Sequence, residues 1–332
     1  MTLPPRILVI GDVMTDVIVR PEGPVARGSD RRASITVQPG GSAANQAAWL
    51  ASFGVSVDFV ARIGSADVES ETARFKAIGV TPHLVGDRTH ETGRLIALID
   101  PDGERSFLTD RGANEALEAH DIADALIASA SHISLSGYSF FSPSPRAAVL
   151  DVMRRAGDKP ISVDPGSAEF LREVGADTFL AWTRGATILF PNEEEAAVLA
   201  GSTDPETQRA RLAKHYPVVV IKRGAAGAEA IEGGRCWRIQ AAGTEPVDIS
   251  SVRDPGVAAL LAEGARRFGA KTPKIEVVDT TGAGDAFVAG FLAARLTGAD
   301  IRVALGRAAG AGMTAATIIG GQPRRSNVHP DR

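Results

Sequence analysis

The chain has 332 residues, 44% hydrophobic and 23% charged, with 36 Lys and Arg against 40 Asp and Glu for a formal net charge of -4. These proportions exclude a disordered chain and leave room for a sizeable core, in two domains or in one large α/β domain with an appendage. They also argue against a protein that works on the nucleic-acid backbone, which requires a basic footprint. A single cysteine, Cys236, excludes an internal disulfide, and no Cys/His spacing suits zinc.

The first residues lead directly into an apolar run at 7–10, too short for a signal-peptide core or a membrane span. A cytoplasmic protein without a membrane or nucleic-acid partner is expected. The run ends at Gly11-Asp12, and three similar runs follow: 161–163 before Asp164-Pro165, 188–190 before Pro191-Asn192, and 218–221 before Lys222-Arg223-Gly224. Continuous β-branched runs suit strands buried on both faces. Helical patterns cover 43–53, 66–78, 145–156 and 193–200. Strands alternating with helices predict an α/β protein with a doubly wound, mostly parallel sheet flanked by helices. Ligands bind such sheets beyond the carboxyl ends of the strands, so Asp12, Asp164, Asn192 and Arg223 are expected to line one crevice. Two stretches, about 13–38 and 92–111, break the alternation and read as strands and turns. Pro101-Asp102-Gly103-Glu104 marks a turn between 95–99 and 106–109. Together they predict a small antiparallel sheet inserted in the main domain, placed to act as a lid.

The sharpest motif is Asp279-Thr280-Thr281-Gly282-Ala283-Gly284-Asp285, followed by Phe287, Gly290, Phe291 and Ala294 at helical spacing. A Gly-rich turn opening a helix offers free amides and the positive end of the helix to an anion. Asp285 in the first turn would face that anion, where a carboxylate can take a proton from an attacking hydroxyl. Capping of the helix is the plainer role for the same residue.

Asp279–Asp285 resembles the C-terminal signature of the ribokinase-like (PfkB family) carbohydrate kinases. Gly40-Gly41-Ser42-Ala43-Ala44-Asn45 resembles their N-terminal signature, Asn192–Glu195 their Asn-x-x-Glu element, and Gly224-Ala225-Ala226-Gly227 their nucleotide loop. The matches run in family order over nearly the whole chain, 7–323. The resemblance implies one ribokinase-like kinase domain over 1–332 that carries the small sheet as a lid over the sugar. It implies transfer of the γ-phosphoryl group of ATP to a sugar hydroxyl, with Asp285 as base and the amides of Gly282, Ala283 and Gly284 as anion hole. Asp16, Asn45, Gly40 and Gly41 are placed by it at the sugar; Asp12 could join them or form a turn. Arg111 could reach a substrate anion or lie on the surface. Asn192, Glu195, Gly224 and Gly227 fall at the nucleotide, and Glu195 would hold Mg²⁺ through water; Lys222, where the family often has a smaller residue, and Arg223 precede Gly224 at a strand end and could meet phosphate or adenine. Asp279 and Thr281, with carbonyls of 316–322, are candidates for a monovalent cation such as K⁺.

Several positions depart from ribokinases proper. Met14 stands where they carry Asn, Ser42-Ala43 where they carry Lys-Gly, and Ser136-Gly137-Tyr138 lacks their Glu. Ser136-Gly137-Tyr138 is closer to 2-keto-3-deoxygluconate kinases, whose Asp-Pro-Asn-x-Arg is here Asp164-Pro165-Gly166-Ser167-Ala168. The sugar is therefore left open. A nucleoside kinase, with Met14, Phe107 and Tyr138 against the base, is one alternative, and a non-catalytic sugar-binding regulator is another. A homodimer through the lid is a further expectation. An insertion at 241–276, with a helical pattern at 257–268, has no counterpart in the family pattern.

Overall fold

A computed structural model of the chain describes residues 5–25, 27–99, 105–240 and 279–323. The turn expected at 101–104 and the insertion at 241–276 with its helix at 257–268 lie outside the described residues.

The chain opens with strand β1 (Arg6–Ile10), crosses into β2 (Met14–Pro21) and β3 (Ala33–Gly40), and enters helix α1 (Ser42–Ser52). Strand β4 (Ser56–Gly64) and helix α2 (Val68–Ala77) lead to β5 (Val80–Asp87), then to β6 (Thr92–Ile99) and β7 (Arg105–Gly112). Next come α3 (Asp124–Ser129), β8 (His132–Ser136), α4 (Pro143–Arg155) and β9 (Ile161–Asp164). Helices α5 (Ala168–Val174) and α6 (Ala176–Trp182) precede β10 (Ile188–Leu189), and α7 (Glu193–Ala200) and α8 (Pro205–Leu212) precede β11 (Val218–Lys222). A hairpin of β12 (Ala228–Glu232) and β13 (Arg235–Ile239) follows, and helices α9 (Ala283–Leu296) and α10 (Ile301–Ala316) come last.

Nine strands form the main sheet in the order β13-β12-β11-β10-β9-β8-β1-β4-β5. It is parallel from β11 to β5, and β12 pairs antiparallel with both neighbours. This is the doubly wound α/β arrangement that the apolar runs predict. Alternate residues of one strand enter different cores, as the pleat requires. Ile7 and Val9 join the core built with α1, α2, α9 and α10. Leu8 and Ile10 join the core built with α3 to α8. On the first of these faces, β8 and β9 present His132, Ser134 and Ser162 instead of apolar side chains, all buried.

The small sheet has the order β3-β2-β6-β7. The sequence reading made it antiparallel throughout, but its central pair, β2 and β6, is parallel. Parallel strands need a long crossover, and the stretch from α1 to β5 in the main domain supplies it. Both strands therefore leave the main domain in the same direction.

Candidate active site

The carboxyl ends of β1, β8, β9 and β11 and the N-termini of α1, α7 and α9 meet in one crevice. Gly41 turns the chain into α1 with φ 98, a conformation that side chains resist. Asp12, just beyond β1, closes this turn from below. Its Oδ2 accepts the Ser42 amide (3.1 Å), and its Oδ1 accepts the Ala43 amide (3.2 Å) and the Ser136 hydroxyl (2.8 Å). Asp12 is thus spent on holding the first turn of α1.

Asp16 is different. It is buried on β2, and a Cβ on Gly40 would run into its carboxylate, so a side chain there would displace Asp16. Burial, with help from Asp12 and Asp279, pushes the Asp16 carboxyl up to about 7. Arg111, at the end of β7, lies with its guanidinium 4.5 Å from the centre of the Tyr138 ring and its Nη1 3.4 Å from Asp12 Oδ2. The Tyr138 hydroxyl donates to the Gly166 carbonyl (2.8 Å), which fixes the ring.

Asp285 lies in the first turn of α9, whose N-cap Gly282 has φ 72. A Cβ on Gly282 would run into Gly321, so the turn and the segment after α10 are packed backbone to backbone. The Asp285 carboxylate is held from α1: Ser42 Oγ donates to Oδ1 (2.7 Å) and Asn45 Nδ2 to Oδ2 (2.8 Å). Asn45 Oδ1 is buried without a partner of its own. The Asp285 residue retains some exposure, but burial of its carboxyl, with Asp164 adding, pushes it up to about 7; Ser42, Asn45 and Lys222 oppose this. The amide of Ala283 closes a turn on the Thr280 carbonyl (3.2 Å), leaving Gly282 and Gly284 as the glycines at the mouth.

The other half of the crevice is acidic with one cation at its centre. Lys222 Nζ donates to Asp164 Oδ2 (2.8 Å), and a Cβ on Gly284 would lie 3.6 Å from the same nitrogen. Burial alone would lower the ammonium, but Asp164, Glu195 and Asp285 outweigh it and hold Lys222 above its ordinary value. Asn192 and Glu195 form a reciprocal capping box on α7, with bonds of 2.8 Å each way. Glu193 and Glu194 are exposed while Glu195 is buried, and burial pushes its carboxyl above the usual range, opposed by Lys222 and reinforced by Asp164. Gly224 and Gly227 shape the tight connection between β11 and β12.

Arg223 points elsewhere. Its Nε donates to Glu229 Oε1 (3.1 Å), its Nη2 to Gln208 Oε1 (2.9 Å) and its Nη1 to Glu193 Oε1 (3.4 Å). Asp279 makes a local clasp: Oδ1 accepts the amide (3.0 Å) and hydroxyl (2.7 Å) of Thr281, and Oδ2 accepts the Gly320 amide (3.1 Å). Among the described residues no group of three or more His, Cys, Asp or Glu is arranged to hold a metal ion, and no helix is long and apolar enough to cross a membrane. The sequence places Asp164 in the crevice without giving it a role, and it gives Ser42 neither a place nor a role there. The signal for Ser42 is its position directly behind two glycines.

The pfkB family carbohydrate kinases match residues 4–266 and 252–326 of this chain. An ATP-dependent ribose-1-phosphate kinase of Halopiger xanaduensis is 30% identical over 304 residues, 90% of this chain and 88% of that protein. A ribokinase of Bacillus subtilis is 29% identical over 332 residues, 97% and 98% of the two chains. A putative ribokinase II of E. coli, solved with ATP and Mg²⁺, has the same fold, with a TM-score of 0.75, 22% identity, and coverage of 96% and 94% of the two chains. The chain belongs to the pfkB family of carbohydrate kinases. It is a phosphotransferase whose acceptor is a sugar hydroxyl.

Proposed function

We propose that the chain transfers the γ-phosphoryl group of ATP to a hydroxyl of a small sugar, with Asp285 as general base. The observation that carries this reading is the Asp285 carboxylate, held by Ser42 and Asn45 at the glycine-rich mouth of α9 and poised at about 7. A base works best with a pKa near the operating pH. The sugar oxygen attacks the γ-phosphorus, the bond to the ADP oxygen breaks, and the hydroxyl proton passes to Asp285. The amides at Gly282 and Gly284 and the Lys222 ammonium stabilise charge on the transferred group. Asp16 accepts from sugar hydroxyls, and Asn45 Oδ1 can accept from another. In this reading Asp12 serves the sugar indirectly, by holding Gly41 and Ser42 in place.

The donor set fits Mg²⁺, a hard cation that prefers carboxylate and water oxygens. Glu195 and Asp164 would hold it through water, and it would supply charge neutralisation on the ATP phosphates. Asp279 already accepts three protein hydrogens. A monovalent cation there would depend mainly on carbonyls of 316–322.

Arg111 favours a sugar carrying or developing an anionic group over a nucleoside. It covers one face of Tyr138, and Phe141 and Phe170 meet that ring edge-on, so the ring is used to hold a guanidinium. The outer face of the lid carries exposed Ile35, Val37, Ile96 and Leu108, and a homodimer through this face belongs to the same proposal.

An ATP-coupled assay over ribose, ribose 1-phosphate, fructose, 2-keto-3-deoxygluconate and adenosine tests the substrate class. With the best acceptor, Asp285→Asn should lower kcat by about 10²–10⁴ while both KM values change little. A variant within a few-fold of the parent would remove Asp285 as base. Binding of a sugar without turnover would favour the regulator.

A further inference from the structure

Beneath the crevice, the polar side chains of β8 and β9 join α1 in a buried chain of hydrogen bonds. His132 Nε2 lies 3.0 Å from Ser162 Oγ, Ser162 Oγ donates to Ser134 Oγ (3.2 Å), and Ser134 Oγ donates to Gln46 Oε1 (3.1 Å). Gln46 Nε2 then donates to Ser42 Oγ over the longest link (3.4 Å), and Ser42 donates to Asp285 (2.7 Å). His132, Ser162, Ser134 and Gln46 are all at least nine-tenths buried. They lie between the sheet and α1, beside an apolar core, where polar groups are costly unless satisfied.

We propose that Gln46 is a positioning residue for Asp285, the last member of a one-way hydrogen-bond relay from His132 that sets the donor strength of Ser42. The inference rests on Asp285 being the base.

The direction of each link follows from the acceptor-only nature of an ionised carboxylate. Ser42 must donate to Asp285, which uses its only hydrogen. It can then only accept from Gln46, so the amide nitrogen faces it and the amide oxygen faces Ser134. Ser134 must donate to that oxygen, and Ser162 in turn donates to Ser134. Ser162 has no hydrogen left for the imidazole, so His132 must carry its proton on Nε2. Donors aligned head to tail polarise one another, which strengthens the final bond to the carboxylate. A stronger donor favours the ionised base. Burial keeps His132 neutral, lowered to about 4, so the relay brings no net charge under the site. The other charged groups that face Asp285 are Asp164 on β9 and Lys222 on β11, with Glu195 on α7 acting through Lys222. The test leaves these unchanged.

Gln46→Met and Ser134→Ala break the relay without adding charge. With either, the acidic limb of the kcat profile should move up by about half a pH unit, so that kcat at pH 7 falls about twofold, while both KM values hold. Ser134→Thr, which keeps the hydroxyl, should restore both. Nitrogen NMR of the unaltered protein supplies a readout independent of activity: the His132 proton is expected on Nε2. A proton on Nδ1, or a lowered melting temperature with an unmoved pH limb in both variants, overturns the relay. Asp285→Asn in parallel separates the failures. If it is inactive while Gln46→Met is indifferent, only the relay falls; if it stays active, the base assignment falls first.

Discussion

Asp12 and Asp16 lie four positions apart and both line the crevice, but they do different work. Asp12 has its oxygens filled by α1 amides and Ser136, so Asp12→Ala leaves buried donors unsatisfied. It should cost about 1–3 kcal/mol of stability, visible as a lower melting temperature. Asp16 is a buried acceptor raised to about 7, chiefly by burial. Its folded-state value lies above its unfolded value of 3.8, so the folded state holds the extra proton between the two. The folded state is therefore favoured most below the unfolded value, and that advantage is lost as pH rises toward 7. Asp16→Asn should raise the melting temperature more at pH 8 than at pH 5, and should raise the sugar KM without moving the ATP KM. A Tm change of equal size at both pH values, or equal effects on both KM values, would reverse this assignment. Asp87 has the opposite sign: hydrogen bonds from Thr89 hold it low, and its contribution disappears only on strong acidification.

Elements decide which cation meets the nucleotide. Lys222 and Arg223 are neighbours at the end of β11, and adjacent residues of a strand point to opposite faces. Lys222 therefore enters the crevice between Asp164 and the mouth of α9. Arg223 turns toward the β12 side, where Glu229 also takes Arg209 Nη1 (3.0 Å). Lys222→Met should raise the ATP KM and lower kcat, and it should also lower the melting temperature, because buried Asp164 loses its partner. Arg223→Ala should mainly lower the melting temperature, because it leaves a buried carboxylate short of a partner. Steady-state kinetics on the two variants check this; an ATP KM raised by Arg223→Ala and not by Lys222→Met would place Arg223 at the phosphates.

At the scale of the whole molecule, the small sheet is joined to the main domain by segments that also build the site. Its inner face carries Asp16, while its outer face carries a continuous apolar row. Val37 pairs with Val17, Val17 with Ile96, and Ile96 with Leu108. Val37 is 65% exposed and Leu108 60%, which is costly for a monomer. Charges placed there, as in Val37→Lys with Leu108→Lys, should convert a dimer to a monomer in sedimentation velocity while the melting temperature changes little. A parent protein that sediments as a monomer at micromolar concentration would remove the dimer.

The repeated apolar runs ending in small or polar residues were enough to specify the doubly wound sheet, because a strand buried on both faces has few alternatives. The glycine-rich turns mark the mouths of α1 and α9 for a partly local reason: positive φ at Gly41 (98) and Gly282 (72) favours glycine, and a Cβ on either would also meet neighbouring backbone. Strand β8 does not read as an apolar run, since His132, Ser134 and Ser136 interrupt its apolar pattern. The parallel pairing of β2 with β6 was hidden as well, because it depends on a crossover through the other domain. Within the crevice, sequence marked the chemistry of the side chains but not how they were used. Asp12 and Asp16, or Lys222 and Arg223, are equivalent as letters, and they separate only when the fold fills the lone pairs of one and leaves those of the other. Ser42 and Asp285 are hydrogen-bonded across 243 positions of sequence, and only tertiary packing can bring such groups within reach.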